Sequence, residues 1–268
     1  MDVTQEQQTA LVRRPGPKLN SGLVTHIERQ PIDLDAALDQ WQNYVDTLQV
    51  HGWNIVEVEP ADDCPDAVFI EDAALMYGST AISCNPGATS RRPEVDGVVA
   101  ALTDLGYGVE PISAPATLDG GDVLKVGSNI YVGLGGRTSV AGFDALARII
   151  EPLGATAIAV PITKVLHLKS AVTALPDGTV IGFEPLVDDT SVFGKFVAMP
   201  EESGAHVVLM GDDKLLMSAN APRSADLLAQ MGYEPVLVDI GEFEKLEGCV
   251  TCLSIRLRDR PRLTTERK

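Results

Sequence analysis

The sequence predicts an α/β fold in which one helix-and-strand unit recurs around a common axis. Two observations carry that expectation. An apolar helix that stops at a glycine and gives way to a short hydrophobic strand occurs four times, as HGWNIVEVE from His51, LGYGVEPIS from Leu105, LGATAIAVPI from Leu153 and MGYEPVLVDI from Met231. Each copy is followed, at nearly one distance, by a residue able to do chemistry: Asp66 lies 14 residues after Gly52, Asp119 13 after Gly106, His167 13 after Gly154 and Glu247 15 after Gly232, with Cys252 five further on. Equivalent units present equivalent loops to the axis, which is how a repeat fold builds one site from distant segments. An ordinary α/β protein also favours a C-cap glycine before its strands, so the chemistry after each strand, rather than the glycine, separates the two readings.

The elements follow in chain order. Between Asp35 and Leu48, Leu38, Trp41, Val45 and Leu48 form one apolar helical stripe, with Asp33 or Asp35 as its cap. A second helix opens at Pro93, carries Val95, Val98, Val99, Leu102 and Leu105, and stops at Gly106. A third runs from about Ser139 to Leu153, and another from Ser224 to Met231 ends at Gly232. A fifth, weaker copy is read at Val192 to Gly204 followed by AHVVLM, giving five units of roughly fifty residues. Between the helices, segments such as Asn129–Gly133, Thr179–Phe183 and Thr251–Arg256 read as strands. Neither a low-complexity linker nor a Pro/Ser-rich boundary divides the chain, so one domain over residues 1–268 is expected.

Bulk properties exclude several function classes. At 268 residues and 45% hydrophobic content the chain can bury a large core. It has no signal segment and no apolar run near the ~18 residues of a membrane helix, which points to a cytoplasmic protein without a membrane partner. Cys64, Cys84, Cys249 and Cys252 are too few for a disulfide scaffold. With 38 acidic against 21 basic residues and a net charge of −17, the surface repels phosphate backbones, so nucleic acid is not an expected partner.

Four segments carry chemistry. In Asp66-Ala-Val-Phe-Ile-Glu71-Asp72, three carboxylates surround a short apolar run, and strand alternation would put Asp66 and Asp72 on one face. Such a cluster suits a cation; a guanidinium fits better than Mg²⁺ or Ca²⁺, whose further oxygen ligands are not at hand, although a solvated acidic turn reads the same way. Leu118-Asp119-Gly120-Gly121-Asp122-Val123 allows close backbone approach to a ligand, or a simple hairpin. His167, within Leu166-His167-Leu168-Lys169-Ser170, is raised above a buried structural histidine only by its place in the repeat. Cys249 and Cys252 form a C-x-x-C without a second pair or a thioredoxin-like context; a buried structural thiol is the ordinary reading of each. Joined to a histidine and a carboxylate from other units, Cys252 becomes a candidate nucleophile.

DAVFIEDAAL, the SRRPEVD stretch from Ser90, LDGGDVL, HLKS and EGCVTCLS, in that order, resemble the dimethylarginine dimethylaminohydrolase family of guanidino-group-modifying enzymes. The resemblance extends from ALVRRP near Ala10 to the C-terminal strand and is most specific in LDGGDVL and HLKS. It implies the pentein α/β propeller, five pseudosymmetric ββαβ-type units around a central active-site channel. It implies a catalytic triad of Cys252, His167 and Asp119. Asp66, Glu71 and Asp72 would hold the amino and guanidinium groups of a small-molecule substrate, Arg91 and Arg137 its α-carboxylate. A lid at Leu19–Leu23, with Leu246 and Glu247 opposite, would close the pocket. Neither metal nor organic cofactor is implied, and a homodimer is compatible with the sequence.

The chain departs from relatives at Cys249, where some have an apolar residue, at Leu253, where vertebrate members have a second cysteine, and at Asp119, where some bacterial members have Glu. The implied reaction is hydrolysis of Nω-methylated arginines to citrulline through an S-alkylthiouronium on Cys252. Arginine deimination or amidino transfer on the same scaffold is the near alternative, and a non-catalytic binding pentein the distant one.

Overall fold

The computed structural model describes residues 8–261. β1 (Thr9–Val12) leads through a lid segment to α1 (Leu34–Val50) and β2 (Asn54–Glu57). Four three-stranded units follow, three of them carrying an α-helix. The first is β3 (Ala74–Tyr77), β4 (Thr80–Ser83), α2 (Glu94–Asp104) and β5 (Val109–Pro111); the second is β6 (Val123–Val126), β7 (Asn129–Leu134), α3 (Val140–Ile150) and β8 (Thr156–Pro161). β9 (Val172–Ala174), β10 (Val180–Gly182) and β11 (Phe196–Ala198) make a third without an α-helix. β12 (Val207–Gly211), β13 (Lys214–Ser218), α4 (Pro222–Gln230) and β14 (Glu234–Val238) restore the pattern, and the short α5 (Gly241–Glu244) leads to β15 (Ile255–Leu257).

Each unit is a three-stranded sheet in which an antiparallel hairpin is extended, after the crossover, by a parallel third strand. The fifth sheet joins the two ends of the described chain: β15 pairs antiparallel with β1 (Leu11 opposite Ile255), and β1 pairs parallel with β2. Five such sheets are the pentein arrangement. Among the described residues, no helix is long and apolar enough to cross a membrane.

The repeated glycine has one physical cause. Gly52, Gly106, Gly154 and Gly232 sit at φ of +86°, +86°, +92° and +96°, the left-handed turn that ends each helix and that a side chain resists. Asp33 caps α1 by accepting from the Ala36 N–H at 3.1 Å, and Ser139 caps α3 through Gly142. From α1, Ala37, Trp41, Tyr44, Val45 and Leu48 are buried while Leu38 is half-buried; Leu102 of α2, Leu146 of α3 and Leu228 of α4 fill the equivalent places.

Two expectations are corrected here. Val192–Gly204 is not a helix: Thr190–Val192 and Glu202–Ala205 are single 3-10 turns, and Phe196–Ala198 runs parallel to β10 as the third strand of its sheet. Gly194 and Pro200 confine that stretch to a short extended piece, and AHVVLM belongs to the next unit as β12. Nor does Asp66–Asp72 form a strand. Ile70–Asp72 is a 3-10 turn before β3, and the same location is taken by Gly120–Asp122 before β6 and Leu168–Ser170 before β9.

Candidate active site

These turns, together with the turn at Cys249–Cys252 before β15, bring the predicted groups to one place. A cavity on the axis is lined by Leu23, Asp66, Phe69, Asp72, Arg91, Arg137, Leu166, His167, Leu246, Glu247, Gly248 and Cys252. The volume open to the centre of a water molecule is only about 20 Å³, room for about one water.

At its floor, His167 Nε2 lies 2.9 Å from Asp119 Oδ2, and Asp119 Oδ1 accepts the Gly87 N–H at 2.8 Å. Asp119 is completely buried. The other imidazole nitrogen, Nδ1, is 3.8 Å from Asp72 Oδ1, which itself accepts the Gly121 N–H at 2.8 Å. Glycine is required at 121, because a Cβ there would fall 2.6 Å from Asp72 Oδ1 and 2.8 Å from His167 Nδ1. Burial alone would pull the imidazolium down, but Asp72, the Asp119 hydrogen bond and Asp122 outweigh it and raise His167 to about 9. Burial acts on Asp72 in the opposite sense, yet His167, Arg91 and the Gly121 N–H hold its carboxyl far below the ordinary range. Asp66 is raised by burial, against Arg91 and a 2.9 Å hydrogen bond from the Leu23 N–H.

Cys252 Sγ lies 3.3 Å from Cys249 Sγ, which lies 3.2 Å from Thr251 Oγ1. The hydrogen bond from Cys252 draws the Cys249 thiol down to about 5, and the same bond, with burial, pushes Cys252 up. Cys64 and Cys84 are buried free thiols outside the cavity lining, both raised by burial.

The arginines differ. Arg137 Nη1 is buried without a hydrogen-bond partner, 3.5 Å from Asp119 Oδ2. Arg91 also lines the cavity, but its Nη1 holds Asp72 Oδ2 at 2.5 Å, while Nε and Nη2 hold Glu94 and the carbonyls of Asp66 and Phe69. Of five guanidinium N–H groups, one on Nη1 is left for a substrate.

Glu71 borders this cavity through its backbone, its N–H donating to the Cys252 carbonyl at 3.2 Å, while its side chain lies outside the lining. Next to Asp72 in a tight turn, it projects to the other side of the wall. There Oε1 accepts from Lys169 Nζ at 2.7 Å and Arg256 Nη2 at 2.5 Å, and Oε2 accepts from Thr251 Oγ1 at 2.9 Å.

Leu19–Leu23, the expected lid, lies against Asp66 and Leu246. Leu19–Ser21 is a 3-10 turn; the N–H groups of Thr25 and His26 donate to the Glu247 carboxylate at 2.6 and 2.8 Å, and Arg29 holds the Asn20 and Gly22 carbonyls. Glu247 adopts φ +59°, a strained conformation for a residue with a side chain, fixed by these bonds.

No protein-family model matches the chain. It is 62% identical over 250 residues to the N(G),N(G)-dimethylarginine dimethylaminohydrolase of Streptomyces coelicolor, spanning 93% of this chain and 97% of that one. The chain belongs to the dimethylarginine dimethylaminohydrolase family. A cysteine-to-serine variant of the Pseudomonas aeruginosa family member, solved in complex with citrulline, superposes with a TM-score of 0.85 at 30% identity over 93% of this chain and 98% of that one. A histidine-to-glycine variant of a family member, solved as an adduct with S-methyl-L-thiocitrulline, gives a TM-score of 0.86 at 30% identity over 93% and 99%.

Sequence reasoning had assigned no role to several groups that shape this family site. Phe69 and Leu166 read as core residues, and only the fold puts them on the cavity. Asp122 is fully buried, holds the Leu168 N–H at 3.0 Å and the Thr138 hydroxyl at 2.6 Å, and is raised by burial to about 6. Its place at the end of LDGGDVL was the available signal. Asp72, Asp119 and His167 could also group around a metal ion. Their oxygens, however, are already engaged with Arg91, Gly121, Gly87 and His167, and an imidazolium titrating at about 9 is a poor ligand near neutrality.

Proposed function

We propose that this chain hydrolyses Nω-methylated arginines, asymmetric dimethylarginine and monomethylarginine, to citrulline and dimethylamine or methylamine, with Cys252 as nucleophile. The observation that carries the reading is the enclosed cavity around which Cys252, a charged His167 paired to Asp119, and the carboxylates of Asp66 and Asp72 converge. A guanidinium entering between Asp66 and Asp72 is oriented by them, and its positive charge beside Cys252 favours the thiolate there. Arg137 Nη1, which pairs with Asp119 at 3.5 Å but makes no hydrogen bond, suits the substrate α-carboxylate, with the remaining Arg91 N–H as second donor. Leu23, Leu246 and Glu247 close over the bound molecule.

The Cys252 thiolate adds to the central guanidinium carbon, forming a C–S bond. His167, charged at neutral pH, gives its proton to the departing amine nitrogen, the C–N bond breaks, and an S-alkylthiouronium remains. The neutral imidazole then takes a proton from water as the hydroxide attacks the same carbon. Collapse breaks the C–S bond and returns the thiolate, the hydroxyl proton passes to solvent as the carbonyl of citrulline forms, and Asp119 keeps the ring oriented throughout. The four free thiols support a reducing, cytoplasmic setting for one five-unit domain acting on a small molecule, without nucleic acid or membrane.

The test is citrulline release from asymmetric dimethylarginine, monomethylarginine and arginine side by side, with Cys252→Ser as blank. Turnover of the methylated compounds alone is the expected result. Turnover of arginine alone would replace this reading with a deiminase, and no citrulline from any of the three would return the transferase and binding-protein alternatives.

A further inference from the structure

The first strands of all five sheets, β3, β6, β9, β12 and β15, face a second cavity on the axis, beyond the wall carrying Glu71, Lys169 and Thr251. About 160 Å³ of it is open to the centre of a water molecule, against the roughly 10–15 Å³ that one water needs. Its charged lining is Lys125, Lys169, Arg256 and Arg258 against the single carboxylate of Glu71. In a chain of net charge −17, four cations converge there on one acid.

Glu71 compensates Lys169 and Arg256, which share its Oε1. Lys125 and Arg258 have no ion-pair partner among the described residues. Lys125 Nζ donates to the Met76 carbonyl at 2.8 Å, using one of three N–H groups; Arg258 donates to the Leu209 carbonyl at 2.6 Å and to Gln8 Oε1 at 3.2 Å, using two of five, and stacks over Trp53 at 5.0 Å. The crowding has a measurable consequence. Enclosure by the channel wall, with Lys169, Arg256 and Arg258 nearby, pulls Lys125 down to about 7, and enclosure with Arg256 pulls Arg258 down to about 10. Both side chains nonetheless reach solvent, so the cavity is wet rather than a dry core.

We propose that this axial cavity binds a phosphate-class oxyanion, with Lys125 and Arg258 as its principal ligands and Arg256 and Lys169 completing the field. A dianion offsets the excess charge better than a monoanion, and tetrahedral oxygens can accept from an ammonium and a guanidinium approaching from different strands. The site goes beyond the reaction proposed above and shares no residue with the cavity that holds Cys252.

Inorganic phosphate is the probe, titrated at constant ionic strength with sodium chloride as balance. Thermal unfolding is followed together with heats of binding. At phosphate about five times its dissociation constant, a saturable rise in Tm of roughly 2–4 °C is expected, with chloride giving none. Lys125→Met with Arg258→Met, which leaves the Glu71 pairs intact, removes both the rise and the heat. An equal rise with chloride, a rise that survives in the double variant, or no heat with the parent protein overturns the proposal. Should the double variant not fold, phosphorus NMR of the parent decides: phosphate line broadening reversed by sulfate but not by chloride supports the site, and its absence ends it.

Discussion

Asp119→Asn isolates the electrostatic part of the proposed mechanism. The amide keeps the shape of the carboxylate and removes its charge from a 2.9 Å contact with His167 Nε2. The rise of His167 from its ordinary 6.5 to about 9 corresponds to roughly 3 kcal/mol in favour of the imidazolium, at about 1.4 kcal/mol per tenfold change. Asp72, Asp119 and Asp122 share in that preference, so losing Asp119 removes about 1–1.5 kcal/mol of it and lowers the His167 value by roughly one unit. The sign follows from the role. As general acid, His167 must be protonated in the enzyme–substrate complex, so kcat is held below the His167 value and declines as pH rises through it. In the parent protein the alkaline decline of kcat is expected at about 9, and in Asp119→Asn at about 8, with kcat itself roughly 10²–10⁴-fold lower because the ring is less well oriented. The assay is citrulline formation at saturating asymmetric dimethylarginine between pH 6 and 10.5. An unmoved alkaline decline with an otherwise active variant would refute the assignment of His167 as the acid and of Asp119 as its partner.

Three further perturbations test separate parts of the site. In Cys249→Ser, Cys252 loses the neighbour that pushes it up, so its alkylation by iodoacetamide should rise at a lower pH than in the parent; an unchanged profile would show that Cys249 does not govern Cys252. Arg137→Met should raise KM by roughly 30-fold, about 2 kcal/mol, with a smaller change in kcat, and the KM of a substrate analogue lacking the α-carboxylate should not move. Gly121→Ala should cost far more in kcat than in Tm, since its methyl group meets Asp72 and His167 first; a large loss of Tm with normal turnover would contradict the geometry.

The repeat made Asp119 and His167 legible because each sits 13 residues after the left-handed glycine of its unit, whereas Cys252 lies five residues past the corresponding Glu247 and stood out through its combination with a histidine and a carboxylate. That signal depends on backbone geometry, which short-range sequence encodes well. The direction of the Glu71 side chain was not legible, for the complementary reason: in a 3-10 turn adjacent residues point apart, and which of Glu71 and Asp72 faces the cavity is decided by Arg91 on one side and by Lys169 and Arg256 on the other, residues distant in sequence. The commitment of Arg91 to Glu94 and Asp72 was hidden likewise, although Glu94 lies only three positions away. The unit without a helix was misread because Val192, Phe193, Phe196 and Val197 present apolar residues at spacings that suit either period, and pairing with β10 chose the strand.

Pairing β15 with β1 also orders events during synthesis. As the chain leaves the ribosome, the three middle units and the sheet of β12 to β14 can be completed in turn, but β1 waits beside β2 without its other neighbour until residue 257 has emerged. Cys252 is delivered only a few residues before that closing strand. A nascent chain therefore carries the imidazole and the acids for the 85 residues from His167 to Cys252 without that sulfur, and the thiol arrives with Leu246, Glu247 and Gly248 as the last wall of the pocket.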